Sequence, residues 1–283
     1  MTEILITGNN GQLGRAIERL ASARGLSVSG SDIDTLDITD AAQVEDWVGL
    51  HKPSTLINCA AYTAVDDCEE HEAEAKKING TAVRYLAASC RRHQTRLLHI
   101  STDYVFDGTA SRAYRESDEV GPTSAYGRTK LLGEQMASQA PDHLIVRTAW
   151  LYGRGGRNFI EAIRRQIDGG AEELRVVADQ RGCPTFCDDL ATALLDLAEK
   201  DTQGIMHVVN SGETTWHGFA SEIAGLLGST IPILPVGTEA YPRPAPRPAY
   251  SVLDTGRLQT VLGRPMPTWQ DALARYMADS CAG

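Results

Sequence analysis

A short apolar run, Glu3-Ile4-Leu5-Ile6-Thr7, leads into a turn with glycines at Gly8, Gly11 and Gly14, and a helical pattern follows through Ala16, Ile17, Leu20 and Ala21. Strand, glycine turn and helix form the opening unit of a dinucleotide-binding sheet, because glycines let backbone approach a pyrophosphate resting on a helix N-terminus. A tight strand-to-helix turn needs glycine whether or not it binds anything, so the triplet alone leaves both readings open. Its position between a strand and a helix adds weight.

The following residues repeat the alternation. Residues 26–33 read as a second strand ending in the acids Asp32 and Asp34. An acid there, about twenty residues past the glycines, is where an adenosine ribose is held, and Asp32 is the candidate; an Asx turn leaving the strand is the alternative. Asp37-Ile38-Thr39-Asp40 supplies a cap for a helix over residues 41–50, and Pro53 ends it. Residues 55–59 form a buried strand, followed by the small residues of Ala60-Ala61-Tyr62-Thr63-Ala64, which let a cofactor pass close to the strand end. Residues 66–93 read as a helix kinked at Asn79-Gly80, and residues 96–101 as a strand that delivers Thr102 at its carboxyl end. Strand and helix have then alternated four times, the pattern of a doubly wound parallel α/β sheet whose ligands bind beyond the carboxyl ends of the strands. Residues 143–148 add another strand, and Ala149-Trp150-Leu151-Tyr152-Gly153 follows it on the same rim.

Between these strands stands Ser124-Ala125-Tyr126-Gly127-Arg128-Thr129-Lys130. Tyr126 and Lys130 are four residues apart and share one face of a helix. A phenol titrates near pH 10, and a neighbouring ammonium that stabilises the phenolate brings it closer to working pH as a proton donor. The Thr102 hydroxyl completes the set by holding a substrate carbonyl. A surface helix that carries Tyr-x-x-x-Lys without a function is the competing reading of the motif alone.

The remainder is less regular. Helices are expected over 158–167, 188–200, 215–227 and 269–278, and strands over 174–178, 204–210 and 250–253. The six prolines of residues 232–248 force extended or turn structure and suggest a pocket wall. The expected division is a dinucleotide-binding domain over 1–150, to which 187–209 returns, and a smaller substrate-binding lobe from 151–186 and 210–283. A formal charge of −10 argues against non-specific nucleic-acid binding. No apolar run reaches membrane-span length and no signal-peptide pattern is present, so a cytoplasmic location off the membrane is expected. The six cysteines, Cys59, Cys68, Cys90, Cys183, Cys187 and Cys281, lack zinc-site spacing and read as reduced, mostly buried thiols.

Gly-x-x-Gly-x-x-Gly and Tyr-x-x-x-Lys together resemble an extended short-chain dehydrogenase/reductase. Within that group, Ala61-Tyr62-Thr63-Ala64-Val65-Asp66, Ser101-Thr102-Asp103-Tyr104-Val105-Phe106-Asp107-Gly108, Arg147-Thr148-Ala149-Trp150-Leu151-Tyr152-Gly153, Asp179-Gln180-x-Gly182-x-Pro184-Thr185 and Arg247-Pro248 resemble the dTDP-4-dehydrorhamnose reductase family. The resemblance implies a Rossmann-type fold and reduction of the 4-keto group of dTDP-4-dehydro-L-rhamnose by NADPH or NADH. It implies catalysis by Thr102, Tyr126 and Lys130, with Thr102 where the superfamily usually has serine. It assigns the cofactor to the Gly8–Gly14 turn (Asn10, Gly11, Gln12 and Leu13 included), Asp32, Asp37, Ile38, Ala60, Ala61, Tyr62, Tyr126 and Lys130. The dTDP-4-keto-6-deoxysugar goes to Thr102, Asp103 and Trp150, although a core aromatic is the alternative for Trp150. Arg247 is a candidate for the diphosphate. Some members hold Mg²⁺ at a dimer interface through a glutamate whose matching position here is Ala16, which cannot ligate a cation, so no metal is expected and the chain is a monomer or homodimer. The likeness extends to reductases of other dTDP-keto-deoxysugars and to the non-catalytic regulatory subunit of methionine adenosyltransferase.

Overall fold

Strand β1 (Glu3–Thr7) is buried at four of its five positions and pairs in parallel with β2 (Ser27–Ser31) on one side and β3 (Thr55–Asn58) on the other. The structure is a computed structural model that describes residues 3–280. Strands β4 (Arg96–Thr102) and β5 (His143–Thr148) continue the sheet, and the edge strand Gly204–His207 closes it beside β5. Every pairing is parallel, and the order 2-1-3-4-5 reverses its winding between β1 and β3.

Central parallel strands are apolar on both faces and need cover on both. Successive residues point to opposite sides, so Ile6, Ile57 and Leu98 share one apolar cluster with Ile17 of the helix Gln12–Ala23 and Leu190 and Leu194 of the helix Cys187–Ala198. Their neighbours Leu5, Leu56 and Leu97 join the other face, with Val44 and Val48 of the helix Ala41–His51, Val83 and Leu86 of Ala82–His93, and Ala137 of Ala125–Ala137. Asp40 caps the helix Ala41–His51, its carboxylate accepting from the Ala42 and Gln43 amides.

The stretch read as one kinked helix is broken. It runs as Asp67–Glu70, Glu72–Lys76, a π-helical turn Lys77–Thr81 and Ala82–His93. Tertiary partners override helix propensity here: Glu69 accepts from the Ala125 amide at 2.7 Å, and Glu72 pairs with Arg128 at 2.9 Å. The wide turn falls at the expected kink and frees the Asn79 side chain, which bonds both the amide and the carbonyl of Tyr62, at 2.8 and 3.0 Å.

A third apolar cluster lies outside the sheet, built from Tyr152, Ile160, Phe186, Phe219, Trp269 and Tyr276. Strands Leu174–Val177 and Ile233–Val236 pair in parallel beside it. The proline-rich stretch holds the second of these strands and a 3₁₀ turn, Thr238–Ala240. Residues 250–253 do not form the expected strand: Tyr250 and Leu253 make isolated bridges to Arg181 and Tyr114, because each faces a different neighbour. The helix Gly256–Leu262 had no clear signal in the sequence.

Cys68, Cys90, Cys183 and Cys187 are buried free thiols and Cys59 is a half-buried one, while Cys281 lies outside the described residues. Among the described residues no helix is long and apolar enough to cross a membrane, and no group of His, Cys, Asp and Glu is placed to hold a metal ion.

Candidate active site

A cleft of about 1220 Å³ opens along the carboxyl ends of the strands where the winding reverses. Gly8 there has φ 71°, and a Cβ on it would stand 2.7 Å from the Ala60 nitrogen, so only glycine permits both the turn and the close packing of the β3 loop. The helix Gln12–Ala23 starts from Gly11 with no side chain taking its first amides, which leaves anion-ready donors at the cleft. Gly8, Gly11, Gln12, Leu13, Gly14, Asp32, Asp37, Ile38, Ala60 and Ala61 all line it. Asn10 reaches across to the end of β2, its amide donating to Asp32 Oδ2 at 3.0 Å. Tyr62 differs: its hydroxyl donates to the Asp67 carboxylate, and its ring is outside the cleft wall. Ala16 is buried in the sheet core.

Thr102 ends β4 and Tyr126 begins the helix Ala125–Ala137, whose Ser124 cap accepts from the Gly127 amide at 3.1 Å. Both line the cleft with Lys130. The Lys130 ammonium donates to the Ile100 carbonyl at 2.6 Å, and burial lowers its pKa to about 8, with Glu134 opposing the shift. The Thr102 hydroxyl bonds Asp103 Oδ1 at 3.0 Å. Burial raises Asp103 to about 6 against hydrogen bonds from Ser251 and Thr102.

The expected lowering of the Tyr126 phenol by Lys130 is not what this geometry produces. Burial pushes the phenol well above its ordinary value, Thr102 gives partial relief through a hydrogen bond, and Asp103 and Tyr104 add to the rise. A neutral, desolvated phenol is the form that can donate a proton. The lysine instead secures the helix to β4.

Trp150 also lines the cleft, half-buried, with its ring stacked on Trp216. It also packs against the buried cluster of Val105, Phe106 and Ala149, so the residue joins the cleft wall to a core. Arg247 lies apart from the cleft, in an adjoining cavity of about 850 Å³ that it shares with Arg175, Arg243, Phe159 and Trp216. Its guanidinium pairs with Asp66 at 2.9 Å. Tyr104 and Trp216 line both spaces. Sequence reasoning missed Lys77, Tyr104 and Trp216 as wall residues. Tyr104 sits within the block that carries Thr102, a signal that could have found it; Lys77 lines the cleft at the start of the π turn.

Proteins with a tyrosine and lysine one helical turn apart beside the dinucleotide crevice of a Rossmann-type sheet are short-chain dehydrogenase/reductases, and both the fold and the site here are of that class. Comparison with known proteins narrows this. Residues 1–281 match the family described as RmlD substrate binding domain, and the chain belongs to that family. A probable dTDP-4,6-dihydroxy-2-methyloxan-3-one 4-ketoreductase of Streptomyces antibioticus is 43% identical, covering 98% of this chain and 95% of the relative. A dTDP-4-dehydrorhamnose reductase of Streptomyces griseus is 42% identical, covering 98% and 93%. The crystal structure of dTDP-4-dehydrorhamnose reductase from Bacillus anthracis in complex with NADP is similar with a TM-score of 0.94 at 35% identity, covering 99% of this chain and 100% of that one.

Proposed function

We propose that this protein reduces the 4-keto group of dTDP-4-dehydro-L-rhamnose to give dTDP-L-rhamnose, using NADPH or NADH. The observation that carries the reading is the half-buried Tyr126, placed with Thr102 and Lys130 on the wall of a cleft whose glycine cradle and uncapped helix fit a dinucleotide. The names of the full-length relatives support the substrate.

A nicotinamide cofactor held along this wall would supply the hydride for C4 of the sugar. Thr102 holds the carbonyl oxygen, and Tyr126 gives its proton to the alkoxide that develops there. Lys130, with one N–H committed to Ile100, has donors left for ribose hydroxyls. The Gly11 helix start takes the pyrophosphate and Asp32 the adenosine ribose. Asp37, Ile38, Ala60 and Ala61 complete the cofactor wall, and Tyr62 serves by its backbone. Asp103 and Trp150 face the sugar, and Arg247 in the adjoining cavity meets the diphosphate. In this reading residues 151–186 and 210–283 form the substrate lobe. The enzyme works in the cytoplasm as a monomer or homodimer without a metal bridge, since Ala16 offers no ligand.

A second reading, reduction of another dTDP-4-keto-6-deoxysugar, is favoured by the Streptomyces antibioticus relative. A regulatory subunit without catalysis is disfavoured by the intact Thr102, Tyr126 and Lys130. NADPH oxidation against a panel of freshly made dTDP-4-keto sugars tests these readings: the highest kcat/KM belongs to dTDP-4-dehydro-L-rhamnose, and a higher value for a different sugar would transfer the assignment to it.

A further inference from the structure

The two cavities share an aromatic wall. Trp150 and Trp216 stack with centroids 3.6 Å apart and planes 6° from parallel. Trp150 faces the cofactor cleft, whereas Trp216 faces both spaces. Trp150 has φ 47°, the left-handed region that a bulky residue adopts only when its surroundings hold it there. Gly182 lies directly against the indole, since a Cβ at that position would come within 2.5 Å of it.

Trp216 is anchored independently of Trp150. Its indole N–H donates to Gln180 Oε1 at 3.2 Å, and Phe159 packs against it at 4.7 Å. The Gln180 amide donates to Thr238 Oγ1 at 2.9 Å, and Thr238 donates to Asp179 through its own amide at 2.9 Å and its hydroxyl at 2.7 Å. Trp216 is thus tied to the turn that begins the proline-rich wall of the second cavity. Trp150 leans on a fixed partner.

We infer that Trp216 is a positioning residue for sugar reduction. The stack, rather than the backbone of Trp150, keeps the Trp150 indole flat on the sugar side of the cleft, and a nucleotide in the second cavity touches the same stack. This rests on the dTDP-sugar reading given above. Loss of an aromatic pair weakens an interaction by a modest factor, so the effect belongs in sugar binding.

Trp216→Leu and the more conservative Trp216→Phe test the inference, with thermal melting as a control for folding. Stacked indoles give an exciton couplet in circular dichroism, which both variants lose. The KM for dTDP-4-dehydro-L-rhamnose rises roughly tenfold in Trp216→Leu and less in Trp216→Phe, while the KM for NADPH stays at the wild-type value. In the wild type, saturation with dTDP, followed by calorimetry, changes the couplet. A couplet that vanishes without any rise in sugar KM, or that ignores bound dTDP, overturns the positioning role. Wild-type protein that neither binds dTDP nor turns over the keto sugar overturns the substrate reading, and this inference with it.

Discussion

The Lys130 ammonium donates to the Ile100 carbonyl at 2.6 Å, which ties the helix bearing Tyr126 to the strand that ends in Thr102. The two hydroxyls are therefore held by one rigid joint between a strand end and a helix start. Proton donation depends on that joint and on the phenol alone. Tyr126→Phe should leave cofactor affinity near the wild-type value and lower turnover by roughly 10²-fold or more, the scale of a positioned acid. Steady-state kinetics with a parallel cofactor titration checks this, and turnover close to wild type would remove Tyr126 from the mechanism.

Asp103 gives a pH dependence of stability. Burial raises its folded-state value to about 6, above the roughly 3.9 of an unfolded aspartate. The folded protein binds this proton more tightly, so the contribution is most favourable below about pH 4 and declines as pH rises through about 6. The difference is on the order of 3 kcal/mol. Asp103→Asn keeps an acceptor for Thr102 but cannot ionise, so its melting temperature should exceed the wild type's at pH 7.5 and the gap should close at pH 4.5. An equal or lower melting temperature at pH 7.5 contradicts the assignment.

Glu134 and Arg147 form a two-pronged pair at 2.8 and 2.7 Å, with side chains only 5% and 2% exposed, and Ser101 donates to the same carboxylate at 2.6 Å. Removing one partner leaves a buried charge. Glu134→Ala should cost about 3–5 kcal/mol in urea unfolding, and the double change Glu134→Leu with Arg147→Met should recover most of it. A single variant within about 1 kcal/mol of wild type would show that water reaches the pair.

Cofactor choice turns on Asp32. Its carboxylate accepts from the Asn10 and Ile33 amides at 3.0 and 2.8 Å and stands at the cleft wall, where a 2′-phosphate would bring like charge against it. Arg15, on the helix that follows the glycine turn, lies against Gly155. NADH should be used at least as well as NADPH, and Asp32→Ala should shift the ratio of kcat/KM towards NADPH. A strong wild-type preference for NADPH would show that another cation, such as Lys77 on the same wall, receives the phosphate.

Much of the site was legible because its parts sit at fixed places in a repeating pattern. The Gly8 turn, Asp32, Ala60, Thr102 and Trp150 each follow a strand, and strands declare themselves by short apolar runs. Spacing put Tyr126 and Lys130 on one helix face but left a functionless surface helix as a competing reading, and the convergence of strand ends on one rim weighed against it. What escaped depends on partners remote in sequence. The break at His71 goes with acids bonded to Ala125 and Arg128, and the π turn that begins at Lys77 lets Asn79 clamp Tyr62. Spacing placed Lys130 beside the phenol, yet it could not show that β4 would present the Ile100 carbonyl to the ammonium. Trp216 reads as one more apolar helix residue until Trp150 is seen against it.

The central claim is hydride transfer to C4 of a dTDP-keto sugar, and isotope tracing tests it most directly. Nicotinamide cofactor deuterated at the transferring position is incubated with dTDP-4-dehydro-L-rhamnose and the protein, and the product is examined by NMR and mass spectrometry. The account predicts dTDP-L-rhamnose carrying deuterium at C4. Product without deuterium at C4, or cofactor left unoxidised while the keto sugar is intact, would contradict it.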